Sequence, residues 1–259
     1  MPTSFHVVIP ARYGSTRLPA KPLLPIAGKA MIQWVVEQAC RSHADEVLVA
    51  TDDARIAAVV ADPRGSGRVR ALMTRADHAS GTDRIAEVAR TLRWSGDTLV
   101  VNVQGDEPQI PPVLIDQVAA LLAADPRADI ATLCTPVTSA DEFLNPNIVK
   151  VVRAADDSAL YFSRASIPFD RDAAARAPDV PRCPAGALRH LGIYAYRVDA
   201  LLRMTALPVS PLEATEKLEQ LRALEAGMRI AVGIASQVPG VGVDTPEDIE
   251  RLRGALDAT

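Results

Sequence analysis

The chain predicts an α/β fold: a mainly parallel sheet with flanking helices and a smaller antiparallel region late in the sequence. Three observations carry this. Through the first half, short apolar runs alternate with amphipathic segments at helical spacing, as strands joined by crossover helices do. From Asn147 onward that rhythm gives way to strand-like runs separated by loops alone. The first apolar run also stops in a basic loop carrying Arg12, Arg17 and Lys21, at the kind of strand end where α/β proteins collect ligands.

Taken in order, residues 5–9 (FHVVI) read as an interior strand that Pro10 ends, because proline cannot donate to a ladder. Residues 30–41 give an amphipathic helix, 46–50 a strand and 54–60 a second helix. Strands at 69–73 and 98–103 flank a helix at 83–93, and the run TLVVNV is apolar enough to lie deep in the sheet. A helix at 113–124 and a strand at 130–135 extend the pattern. Beyond Asn147, IVKVV, ALYFS and HLGIYAYR read as strands of an antiparallel insertion, and residues 170–187 as an exposed loop rich in Arg, Asp, Ala and Pro. A helix over 211–226, a strand over 230–234 and a helix over 246–256 complete the chain. The divisions expected are a core at 1–146, an antiparallel region at 147–210, and a helix–strand–helix at 211–259 that returns to the core.

With 48% hydrophobic and 23% charged residues, the 259-residue chain has the composition of a globular protein with a substantial core. The net charge of −4 gives no general attraction to nucleic acid, so basic clusters need local explanations. Cys40, Cys134 and Cys183 form no CxxC pair, which points to free buried thiols in a reducing cytosol. No apolar stretch approaches the roughly 20 residues of a membrane span, and the start lacks a signal-peptide pattern, so a cytoplasmic protein is expected.

In the basic loop, Gly14 permits close backbone approach while Ser15 and Thr16 supply hydroxyls and amides, a set suited to phosphates or to a plain solvated turn. In VNVQGDEP, a buried strand ends at Gln104, Gly105, Asp106 and Glu107, and the carboxylates can hold a hard cation such as Mg²⁺; Gly-Asp is also a common turn pair. In VGVDTPEDIERL, Thr245, Pro246 and Asp248 complete a helix cap without Asp244, which is left free as a second metal ligand or a turn residue. In DHASGTDR, Ser80 or Thr82 caps a helix whose N-terminus, opened by Gly81, suits an anion or a base edge, and simple capping serves equally. Arg84 has the alternative of pairing with Asp83 or Glu87 on the surface.

Strand alternation in RHLGIYAYR places His190, Gly192, Tyr194 and Tyr196 on one face, a hydrogen-bonding surface suited to a polyhydroxylated ligand, against Leu191, Ile193 and Ala195 on the other. On SPLEATEKLEQLR, Glu216 and Glu219 lie three apart on one helical face, with Leu212, Leu218, Leu221 and Leu224 marking the buried side. GxGxxG after the first strand, Walker A, HExxH and GxSxG are all missing, which disfavours dehydrogenase, P-loop ATPase, zincin and serine hydrolase readings.

With PARYGSTRLPAKPL, MTRADHASGTDR, VNVQGDEP, NPNIVKVV, ALYFSRASIPFDRD, RHLGIYAYR, SPLEATEKLEQLR and PGVGVDTPEDIERLR in family order, the chain resembles the 3-deoxy-manno-octulosonate (KDO) cytidylyltransferases of lipopolysaccharide synthesis almost end to end. The resemblance implies a Rossmann-like nucleotidyltransferase fold and transfer of CMP from CTP to KDO. It further implies a nucleotide site in the 1–146 core, a sugar-acid and dimerisation region at 147–210, and a homodimer without nucleic acid or stable membrane association. By the same resemblance Arg12 and Lys21 hold the triphosphate, Asp106 and Asp244 bind Mg²⁺, and Ala11, Ser15, Ser80, Gly81, Arg84 and Gln104 belong to the nucleotide pocket. Gln104, Arg164, His190, Tyr194, Glu216 and Glu219 contact the sugar acid. One departure stands out, since the family's loop usually reads LPGKP and here Ala20 replaces that glycine. A positive φ at this position would cost Ala20 about 1 kcal/mol or shift Lys21.

Overall fold

The computed structural model describes residues 3–14, 18–60, 62, 65–176, 180, 182–240, 242–243 and 245–257. Strand β1 (His6–Ala11) leads through a 3₁₀ turn (Lys21–Leu23) and the short hairpin β2 (Pro25–Ile26) and β3 (Lys29–Ala30) into α1 (Met31–Ala39). Then follow β4 (Glu46–Thr51), α2 (Ala54–Val59), β5 (Val69–Met73), α3 (Gly81–Thr91), β6 (Leu99–Asn102), α4 (Pro112–Ala124) and β7 (Ile130–Pro136). The later chain forms α5 (Ala140–Leu144), β8 (Lys150–Arg153), β9 (Ala159–Ser163), α6 (Arg171–Arg176), β10 (Leu188–Arg197) and α7 (Val198–Ala206). It closes with α8 (Pro211–Glu216), α9 (Gln220–Glu225), β11 (Ile230–Ile234) and α10 (Pro246–Asp257).

A nine-stranded sheet runs in the order β11-β7-β10-β6-β1-β4-β5, with β8 paired to β10 and β9 to β8. β10 is antiparallel to both its neighbours, β6 and β7, while every other strand on that path runs the same way. The antiparallel strands anticipated after Asn147 are therefore continuous with the parallel sheet. Apolar side chains fill both faces: α1, α2 and α4 cover one, against Val7, Ile9, Val101 and Ala195, while α3, α7 and α9 with β8 and β9 cover the other. Burial on both faces explains why β1, β4 and β6 are near-continuous apolar runs. Among the described residues, no helix is long and apolar enough to cross a membrane. Cys40 and Cys134 are buried and Cys183 is half-buried, and none of the three is in a disulfide.

Several expectations need correction. Pro10 does not end β1, which continues to Ala11 in register with β4. The ladder tolerates it because β6 pairs with β1 only as far as Val8, and the Val8 carbonyl accepts from Val103 on that side, so no amide is required of Pro10. The helix expected over 211–226 breaks into α8 and α9 at Lys217, whose φ of 55° is left-handed. Leu212 is consequently 38% exposed, whereas Leu218 and Leu221 stay buried. The stretch 170–187 holds the short helix α6, and α7 follows β10 without a side-chain cap to announce it.

Candidate active site

At the carboxyl ends of β1 and β6 lies a cavity of about 290 Å³, lined by Ala11, Arg12, Lys21, Ser80, Gly81, Arg84, Gln104 and Asp106 among others. Close backbone contact builds it. A Cβ on Gly105 would stand 2.9 Å from the Pro10 carbonyl oxygen, and one on Gly81 would stand 3.1 Å from the Pro10 ring. Both glycines let the β6 end and the α3 N-terminus close on β1. Ser80 caps α3 in a reciprocal box with Asp83, leaving the helix N-terminus pointed at the cavity with its favourable dipole.

Arg12 is exposed and makes no hydrogen bond or ion pair among the described residues. The Lys21 ammonium donates to Asp106 Oδ2 at 2.7 Å. Ala20 sits at φ 54°, ψ 28°, so the glycine-like conformation is kept and an alanine carries its strain. The loop after β1 is tied down by the Tyr13 amide, which donates to Asp52 Oδ1, and by the Arg55 guanidinium lying 3.7 Å over the Tyr13 ring. Asp52 Oδ2 in turn accepts from Arg84 Nη2 at 3.1 Å. Arg84 is 3% exposed and donates to Thr74 and to the Arg75 carbonyl as well, so the surface pairing with Asp83 or Glu87 does not occur. Ser15 and Asp244 lie outside the described residues. Thr245 and Asp248 form the expected cap, and the Val243 amide donates to the Asp106 carbonyl at 2.9 Å.

The remaining candidates do not line this cavity; they form a second polar region beside it. His190 and Tyr194 share a face of β10 with ring centroids 5.2 Å apart, and Tyr194 continues to Tyr196 at 5.8 Å, as alternation requires. Burial holds the His190 imidazole down at about 3 and pushes the Tyr194 phenol up. Glu216 and Glu219 diverge instead of sharing a helical face, because the chain reverses at Lys217 between them. Glu216 accepts from the Ser163 hydroxyl at 2.5 Å and the Arg164 amide at 2.9 Å. Glu219 accepts from the Thr82 hydroxyl at 2.5 Å, next to Gly81, and so joins the second region to the cavity. Its carboxyl is raised, chiefly by burial. Arg164 donates through Nε to the Glu216 carbonyl and through Nη1 to the Pro146 carbonyl.

Four contributors escaped the sequence reading. Lys150, fully buried, donates to the carbonyls of Asn145, Ile148 and Arg164 at 2.6–2.9 Å, and with Glu216 it fixes the backbone that carries Arg164. Asp52 anchors Arg84. Thr132 meets His190 Nε2 at 2.9 Å. Asn102, opposite Tyr194 on β6, is buried with Oδ1 unpartnered among the described residues. Only Asp52 left a readable sign, as an acid at the end of an apolar strand.

Comparison with known proteins agrees with this arrangement. A family model described as cytidylyltransferase matches residues 6–230. The 3-deoxy-manno-octulosonate cytidylyltransferase of Pseudomonas fluorescens (strain SBW25) is 55% identical over 260 residues, covering 100% of both chains. That of Thioalkalivibrio sulfidiphilus (strain HL-EbGR7) is 54% identical, covering 98% of this chain and 100% of its own. A solved CMP:2-keto-3-deoxy-manno-octonic acid synthetase complexed with CTP superposes with a TM-score of 0.85 at 43% identity, covering 98% of each chain. A 4-diphosphocytidyl-2C-methyl-D-erythritol synthase, 14% identical with a TM-score of 0.62 over 98% of this chain and 99% of its own, shares the fold. With full-length identity above half and a phosphate-suited cavity at the strand ends, the chain belongs to the 3-deoxy-manno-octulosonate cytidylyltransferase family.

Proposed function

We propose that the protein transfers CMP from CTP to the anomeric hydroxyl of KDO and releases pyrophosphate. The observation that carries this reading is the cavity where Arg12, Lys21 and the α3 N-terminus converge beside Asp106. Both substrates are anionic, so the barrier is largely electrostatic. Arg12, exposed and unpaired among the described residues, and Lys21 neutralise the triphosphate and then the departing pyrophosphate. The amides at the start of α3 take an anion or a base edge.

The donors beside the cavity suit Mg²⁺. Asp106 supplies hard carboxylate oxygens, with Oδ1 unpartnered among the described residues, and the amide of Val243, the chain neighbour of Asp244, donates to the Asp106 carbonyl. Asp106 and Asp244 would hold the ion, which when bound polarises the α-phosphate and lowers the pKa of the attacking hydroxyl. Asp244→Asn should shift the metal titration of activity to higher concentration; an unchanged titration removes Asp244 as a ligand.

On the acceptor side, Arg164 retains Nη2 beyond its two carbonyl bonds, enough to meet the sugar-acid carboxylate. Gln104, His190, Tyr194 and Glu219 meet hydroxyls, whereas Glu216, engaged by Ser163 and the Arg164 amide, positions Arg164. Pyrophosphate release from CTP and Mg²⁺ with and without KDO, with sialic acid as comparison acceptor, tests the assignment. KDO-dependent release is the expected result. Release with sialic acid alone changes the acceptor, and no release with either acceptor leaves a nucleotide-binding module.

A further inference from the structure

Thr132 lies on β7, fully buried, where the pairing of β7 with β10 slips between Leu191 and Tyr194. Its hydroxyl oxygen is 2.7 Å from the Ile193 carbonyl, 3.1 Å from the Leu191 carbonyl and 2.9 Å from His190 Nε2. A hydroxyl has one proton to give. Neither carbonyl has a proton, so the Thr132 proton goes to them. The contact with His190 is then a hydrogen bond only if Nε2 carries the proton and donates it to the Thr132 oxygen. The ring is held on both sides, edge-on against Phe162 at 5.0 Å and tilted against Tyr194 at 5.2 Å, so it cannot exchange its nitrogens without repacking. Burial lowers the imidazole to about 3, which keeps the ring neutral and leaves Nδ1 with a bare lone pair. Nδ1 has no partner among the described residues.

We propose that Thr132 is a positioning residue that locks His190 as the Nε2-protonated tautomer, so that Nδ1 is offered as an acceptor to a hydroxyl of the sugar acid. The inference rests on the sugar-acid reading above. It adds a selectivity rule: the subsite takes a hydroxyl and repels a carbonyl or carboxylate oxygen placed there, because two lone pairs would meet.

The test combines long-range ¹H–¹⁵N spectra of histidine-labelled protein with steady-state kinetics. In the wild type the His190 signals should be those of a neutral ring protonated at Nε2, unchanged between pH 8 and pH 6. Thr132→Val, which keeps the β-branched shape, should mix the tautomers and raise KM for KDO on the order of tenfold while KM for CTP stays constant. Thr132→Ser, which restores the hydroxyl, should recover both readouts and separates loss of the lock from loss of the fold. A wild-type ring protonated at Nδ1, a cationic ring at neutral pH, or an unchanged KDO KM in Thr132→Val overturns the proposal. A correct tautomer in a wild type that shows no KDO-dependent turnover overturns the acceptor assignment instead.

Discussion

The two polar regions of this protein are built on opposite plans. In the cavity at the β1 and β6 ends, Arg12 stands without a described partner and Lys21 meets Asp106 at the cavity wall, so charge is held ready for a ligand that brings its own. Beside it, nearly every polar group is already engaged: His190 by Thr132, Glu216 by Ser163 and the Arg164 amide, Glu219 by Thr82, and the Arg164 carbonyl by Lys150. A triphosphate is neutralised best by cations gathered at the wall of an open cavity. A sugar with several hydroxyls is distinguished best by donors and acceptors fixed beforehand.

The sharpest way to break this comparison is Lys21→Ala. Turnover should fall by an amount equivalent to about 2–4 kcal/mol in the barrier, as for loss of a transition-state donor, with KM for KDO little changed. Pyrophosphate release at near wild-type rate would remove Lys21 from the charge-holding role. Arg84→Met probes the support beneath the cavity. It leaves Asp52 without its guanidinium, and urea unfolding should record a loss of about 2–3 kcal/mol, below the full cost of a broken buried pair because Asp52 is partly exposed.

Smaller effects sharpen the account of the second polar region. An unfolded histidine titrates near 6.5 and the folded His190 near 3. Between those values the unfolded chain binds more protons, so stability rises with pH across the window and falls as the solution is acidified. The His190 contribution to the slope is at most about 1.4 kcal/mol per pH unit. His190→Asn should remove that slope between pH 6.5 and pH 5; matching slopes in wild type and variant would mean that the ring is open to protonation. The smallest change expected is Ala20→Gly, which relieves the left-handed alanine and should stabilise the fold by up to about 1 kcal/mol by thermal melting, part of the gain being offset by the freer unfolded chain.

What could be read in advance follows the distance over which each feature is decided. The alternation of strands and helices, the cap at Thr245 and Asp248, and the shared face of His190 and Tyr194 depend on neighbours in sequence and were legible. The left-handed turn at residue 20 was one of two outcomes that the family's glycine suggested, and Ala20 adopts it. The break at Lys217 was not legible, because a lysine in the left-handed region leaves no compositional mark, and with it went the divergence of Glu216 from Glu219. The burial of Arg84 was hidden for a different reason: its carboxylate partner, Asp52, lies just past the end of β4, 32 residues earlier in the chain. Lys150 had no readable sign at all, since three carbonyls satisfy its ammonium and no acidic residue announces them.

The reversed strand β10 also fixes an order of assembly. It separates β6 from β7, which come much earlier in the chain, so these two cannot be bridged while the protein is being synthesised until residue 197 has left the ribosome. The ladder of β6, β1, β4 and β5 can form first, with β6 presenting an open edge; β7 waits for the same insertion. A nascent chain halted before β10 therefore carries the β6, β1, β4 and β5 ladder with an unpaired rim, a species that invites association with other chains. Closing that rim brings His190 and Tyr194 into the second polar region, which Glu216 and Glu219 complete only when the following helices have been made.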